Sequence, residues 1–186
     1  MGLFRSIAAA QAALALVLAI PLSAPRAETD CAELEIALDS PADFPELKCD
    51  SGSFASGGPS RTEESIVGNG AGSIFVVHHA VAGVRTYFNR LDTRALIDSW
   101  SPFGKIADWA AAPGGNQFAV ARFKGWLTGK PDLPLGCFAF SRYTSHVARS
   151  SGFRQLVYGF YCTALAEQVA DAEVRRLIGA IKFSFE

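Results

Sequence analysis

The stretch LGCFAFSRYTSHVARSSGFRQLVYGFYCT, residues 135–163, decides how the chain folds. Two aromatic-rich runs, 136–143 and 154–163, flank a polar segment, and each run carries one cysteine. Both are short, rich in Phe, Tyr and Val, and bounded by Gly, Ser or Thr, the composition of strands that end at turns. Phe138 and Phe140 alternate with Cys137, Ala139 and Ser141, and Leu156, Tyr158, Phe160 and Cys162 share one parity. A period of two puts each set on its own face of a sheet. The segment between them, 144–152, is serine-rich and has no apolar period. The stretch therefore reads as a β-hairpin, and folding it brings Cys137 and Cys162 together at its open end.

The chain begins with a positive residue, Arg5, then an apolar run over 7–22, then a small-residue end at 24–27. That is the layout of a secretory signal peptide, here residues 1–27. The run is interrupted by Gln11 and Pro21 and is short for a membrane span. Glu28, Thr29 and Asp30, just before Cys31, are not lipoprotein-signal residues. Export to the periplasm or beyond implies an oxidising compartment, and the four cysteines are an even set. Three pairings are possible. Cys31–Cys49 with Cys137–Cys162 is favoured because each bond then closes a local loop, a constraint worth roughly 3 kcal/mol per loop. No CxxC spacing is present, which argues against a thioredoxin-type motif or a zinc knuckle.

Removing 27 of the 186 residues leaves 159, enough for one domain with a sizeable core. The segment removed holds two arginines and no acid, so 15 basic residues face 18 acidic ones. A balance near −3 argues against nucleic acid or an anionic membrane as an obligate partner. Between Phe118 and Phe160, however, Asp132 is the sole acid among six cations, a mildly basic face or a charged strand edge.

Residues 28–62 read as a disulfide-stapled N-terminal segment and loop ahead of an α+β domain over 63–186. Prolines 41 and 45 interrupt it, and 50–59 has loop composition. A strand–turn–strand unit follows over 64–80, with the turn expected at Asn69-Gly70. Residues 92–100 look helical, capped by Asp92 and stopped before Pro102. Residues 105–112 and 117–126 form another hairpin about Pro113-Gly114-Gly115-Asn116. Over 165–180, Val174, Leu177, Ile178 and Ile181 fall at i, i+3, i+4 and i+7, a helix stripe facing a core, and 181–185 alternates as a closing strand. The fold expected is α+β: a single, mostly antiparallel sheet built from hairpins, two helices packed on it, and two local disulfides.

The run Cys-Phe-Ala-Phe at 137–140, Tyr-Gly-Phe-Tyr-Cys at 158–162 and the helix end Leu-Ile-Gly-Ala-Ile at 177–181 resembles a group of exported proteins of Gram-negative bacteria, over about 118–185. That resemblance implies a periplasmic setting and supplies no catalytic residues. The late helix running into a strand is similar to PsbP/Mog1-like sandwiches, which implies a fold and no function.

The chemistry reads negatively. There is no GxSxG, HExxH, Walker A or strand-bound GxGxxG pattern. His78 and His79 are neighbours on one strand, so their side chains face opposite ways and cannot share a metal. His146 and Arg149 sit in the hairpin loop, and Trp126 belongs with Trp100, Trp109 and Phe103 to a core or an apolar groove. These five residues, His78, His79, His146, Arg149 and Trp126, are the candidate binding positions; no metal and no cofactor is expected. The preferred function is a non-enzymatic exported module that binds a periplasmic protein, an envelope component or a small ligand through its sheet face or hairpin loop. The alternative is a hydrolase-type enzyme in which His78 or His79 meets Asp92 or Asp108 only in space.

Overall fold

The computed structural model describes residues 27–39, 43–54, 61–100, 102–115, 117–129, 132–148, 152–164 and 168–184. The expected signal peptide, but for Ala27, lies outside these residues, as does Arg149. The strands are β1 (Ala27–Glu28), β2 (Ile36–Leu38), β3 (Glu46–Phe54), β4 (Arg61–Gly70), β5 (Ser73–Ala82), β6 (Phe103–Ala112), β7 (Ala119–Leu127), β8 (Leu135–His146), β9 (Phe153–Thr163) and β10 (Ile181–Phe183). Helix α1 spans Thr93–Trp100 and α2 spans Asp171–Ala180. Among the described residues, eight strands form one sheet in the order β1-β3-β4-β5-β9-β8-β7-β6, every ladder antiparallel, and β10 pairs with β2 in a second small sheet. The protein is thus mainly β, with two short helices and two disulfides.

The β8–β9 hairpin forms as its alternation predicts. Cys137 lies directly opposite Cys162 in the ladder, and the two are bonded. Both faces of this pair are buried, because the large sheet is covered on each side. One face packs under α2 and the β2–β10 pair, through Phe75, Phe138, Phe140, Tyr161, Leu177 and Ile178 among others. The opposite face carries Val76, Phe123, Cys137, Ala139, Phe160 and Cys162, and α1 covers part of it through Ile97. Central β5 is buried continuously from Ile74 to Ala80 for the same reason.

Several local readings shift. The β4–β5 hairpin turns at Ala71-Gly72, not at Asn69-Gly70: Asn69 and Gly70 stay in the ladder opposite Ile74 and Ser73, and the left-handed position falls on Gly72 (φ +76°). Helix α2 starts at Asp171, six residues after the position expected from the sequence. Ala170 is extended there and makes no side-chain cap, while Asp171 and Glu173 place acids in the first turn. Its stripe is as expected, with Val174, Leu177 and Ile178 essentially inaccessible, and Lys182 donates to the Gly179 carbonyl at the helix end.

Residues 50–54, of loop composition, belong to β3. Their Gly, Ser and Asp are tolerated because nine consecutive rungs to β4 hold the strand, and Cys49 is bonded to Cys31 in a short 3-10 turn (Cys31–Glu33). The N-terminal segment thereby supplies strands to the main sheet.

Candidate functional site

At one end of the sheet, a cleft of about 410 Å³ opens between the start of α1 and the ends of β7, β8 and β9. Residues 90–93, Arg142, Tyr143 and Phe153 are among its lining. Local chemistry places each. Asp92 caps α1, its carboxylate accepting the Ala95 N–H at 2.7 Å. Thr93 Oγ1 and Ser141 Oγ are 2.8 Å apart and buried, which ties the helix start to β8. The Arg142 guanidinium lies over the Phe118 and Phe183 rings, 5.7 and 5.3 Å from their centroids. The Tyr143 hydroxyl accepts the Leu91 N–H at 2.9 Å and donates to the Leu91 carbonyl at 3.3 Å. Burial raises the Tyr143 phenol above the ordinary tyrosine range, partly offset by the Leu91 backbone and by Arg90.

The loop over 83–92, from β5 to α1, forms the rim. Among the described residues it carries the most exposed large apolar side chains: Val84 at 81 %, Tyr87 at 49 % and Leu91 at 47 %. Its backbone is nevertheless held at three points. The Gly83 carbonyl accepts the Thr86 N–H, the Thr86 hydroxyl and the Arg154 guanidinium, at 3.2, 2.9 and 2.9 Å. Phe88 bridges to Phe153, and Leu91 is gripped by Tyr143 as above. Tyr87 lies against Gly152, where a Cβ would meet the Tyr87 ring at 2.1 Å. Arg85 takes a left-handed backbone (φ 66°) at the tip of the first turn.

The sequence-derived candidates scatter. His78 and His79 do face opposite ways, and both are buried. His78 packs edge-on to Trp100 (4.2 Å) and stacks with Tyr158 (5.2 Å). His79 Nδ1 lies 3.4 Å from Glu64 and 3.9 Å from Glu35, and the Glu64 carboxylate also accepts the Glu35 N–H. Asp92 and Asp108, the carboxylates expected beside a histidine, are engaged elsewhere, Asp92 at the α1 cap and Asp108 with Lys124 at 3.1 Å. The His79 ring has no exposed surface, so this cluster joins the β2 layer to the sheet and offers a substrate no imidazole. His146, expected in the hairpin loop, is instead the last residue of β8, in register with Phe153, and stands exposed over the Phe153 ring at the same end as the cleft. Trp126 lies far along β7 with the Lys105 ammonium over its ring at 4.5 Å, whereas Trp100 and Trp109 pack onto the core. Among the described residues no group of three or more His, Cys, Asp or Glu is placed to hold a metal ion, and no helix is long and apolar enough to cross a membrane.

Sequence reading missed Val84, Tyr87, Arg90, Leu91 and Tyr143. The one available signal is the interleaving of apolar and cationic residues in VRTYFNRL, 84–91, without a helical or strand period.

No protein-family model matches the chain, and no match is found among curated proteins or solved structures.

Proposed function

We propose that the chain is a non-enzymatic binding module of an exported, oxidising compartment, and that it binds through the end of the sheet formed by loop 83–92 and the β8–β9 hairpin. One observation carries the reading: three exposed apolar side chains project from a loop whose backbone is pinned at Gly83, Phe88 and Leu91. An exposed apolar group costs solubility, and a pinned backbone spends little further ordering entropy on binding. The adjoining cleft adds a concave, mixed-polarity surface of ligand size. Two disulfides and the signal-like segment 1–27 support the compartment. The hydrolase reading is supported less, since the histidine beside a carboxylate is sealed in the interior.

The test is a thermal-shift screen of envelope components and small ligands, followed by amide hydrogen exchange with each stabilising compound. Protection confined to 83–92 and to the hairpin end around Tyr143 and Phe153 is expected. Protection centred on another surface sinks the assignment.

A further inference from the structure

Resting on that choice of binding face, we infer that its partner is the surface of an anionic lipid bilayer, which Val84, Tyr87 and Leu91 enter while arginines hold the lipid phosphates. The described residues of the two segments that build this end, 83–91 and 135–148 with 152–163, contain four arginines and no Asp or Glu. Arg142 lies over the Phe118 and Phe183 rings and Arg154 donates to the Gly83 carbonyl, which leaves Arg85 and Arg90 turned to solvent. Arg85 and Arg90 are exposed and form no ion pair among the described residues. Acids adjoining this end in sequence or register are already engaged. Asp92 turns its carboxylate to the α1 N-terminus, and Glu63 pairs with Arg61 at the start of β4, opposite the end of β5. The local field is therefore positive although the balance of the exported chain is near −3.

The side-chain types favour lipid over protein. Aliphatic tips and one tyrosine, interleaved in sequence with Arg85 and Arg90, match the interfacial layer of a bilayer, where the phenol sits among headgroups and the guanidinium meets phosphate. Protein hot spots share the Tyr and Arg of this face but are poor in Leu and Val, so the exposed aliphatic pair Val84 and Leu91 is what separates the two kinds of partner. The Gly83 carbonyl and both backbone groups of Phe88 and Leu91 are already hydrogen-bonded within the chain, so moving them toward a less hydrated layer leaves none of them unpaired.

The experiment is co-sedimentation of the exported chain with vesicles of equal parts phosphatidylglycerol and phosphatidylcholine, against phosphatidylcholine alone. The chain is purified after export, so that the apolar run 7–22 does not itself carry it onto the vesicles. Val84→Ser with Leu91→Ser is expected to lower partitioning into the anionic vesicles about ten-fold. Arg85→Gln with Arg90→Gln is expected to remove most of the preference for anionic over neutral lipid, as is raising the salt well above about 0.15 M. All four side chains are exposed, and an unchanged melting temperature confirms that the variants fold. A Val84→Trp chain reports insertion directly, its added fluorescence being quenched by brominated lipid. Partitioning equal in all chains, or added indole fluorescence that bromolipid leaves untouched, overturns the lipid assignment. If exchange protection by a soluble ligand still maps to 83–92, only the lipid partner has failed; if it maps elsewhere, the binding face has failed too.

Discussion

Phe88 and Phe153 exchange both of their backbone hydrogen bonds, at 2.8 and 3.0 Å, across an antiparallel bridge outside the main ladders. This bridge converts the connection from β5 to α1 into an added rung at the start of β9. The rim of the cleft is thereby part of the sheet's own hydrogen-bonding system, and its exposed side chains stand on a fixed frame. Gly152, one residue before Phe153, completes the arrangement by leaving room for the Tyr87 ring.

The first prediction concerns that space. In Gly152→Ala the new methyl meets Tyr87 Cδ2, Cγ and Cβ at 2.1, 2.4 and 2.7 Å, and because Cβ is among them the ring cannot simply swing clear. Overpacking of this kind costs about 1–3 kcal/mol. We expect a lower denaturant midpoint with an unchanged slope, and faster exchange of the Phe88 amide. An unaltered midpoint and exchange rate would show that Tyr87 does not pack where the structure places it.

The second concerns the hairpin bond. Cys137 and Cys162 face each other in the register and close 25 residues of sequence. Replacing both with alanine should lower unfolding stability by about 3 kcal/mol, mainly by freeing the unfolded chain. Peptide mapping without reductant should recover Cys137 linked to Cys162 and Cys31 linked to Cys49. A peptide joining Cys31 to either hairpin cysteine refutes the pairing.

What the sequence disclosed and what it hid follow from the range of the forces involved. The β8–β9 hairpin was legible because strict alternation and paired cysteines are local signals, and the α2 stripe because Val174, Leu177, Ile178 and Ile181 repeat within one helix. Strand β3 was not, because ELKCDSGSF has a turn's composition and is held extended by β4. The loop over 83–92 has no period at all; its shape comes from Tyr143, Phe153 and Arg154, all more than 50 residues away. The contact of His79 with Glu64 needs the β4–β5 register, which the glycines at 68, 70 and 72 obscure, and Glu35 arrives from a separate layer.

Two glycines give opposite expectations. A Cβ on Gly159 would meet the Val76 carbonyl oxygen at 2.0 Å and Phe140 Cζ at 2.7 Å, in the middle of the sheet. Gly159→Ala should therefore destabilise by about 3 kcal/mol or more, since backbone cannot yield as a side-chain tip can. Gly179, in the last turn of α2, has nothing within 4 Å of where an alanine methyl would stand. Gly179→Ala should raise stability by about 0.5–1 kcal/mol through helix propensity alone. Thermal unfolding of the two variants checks both signs, and a stabilised Gly159→Ala would contradict the described packing of β5, β9 and β8.

Tyr143 supplies a pH prediction. Because burial raises its phenol in the folded state, the folded chain keeps the proton at a pH where the unfolded chain, titrating near 10, has begun to lose it. The unfolded state then binds fewer protons than the folded one, so this contribution to stability is whole below a pH of about 10 and is lost as pH rises through the folded value. Tyr143→Phe removes both the titration and the two bonds to Leu91, at a cost of about 1 kcal/mol near neutrality. The wild-type and variant stabilities should accordingly converge as the solution becomes alkaline, while a tyrosinate absorbance titration of the variant lacks one late-ionising phenol. Parallel stability curves across that range would mean that the Tyr143 hydroxyl is not shielded from solvent, whereas a variant as stable as the wild type near neutrality would mean that the grip on Leu91 does not hold the rim of the cleft.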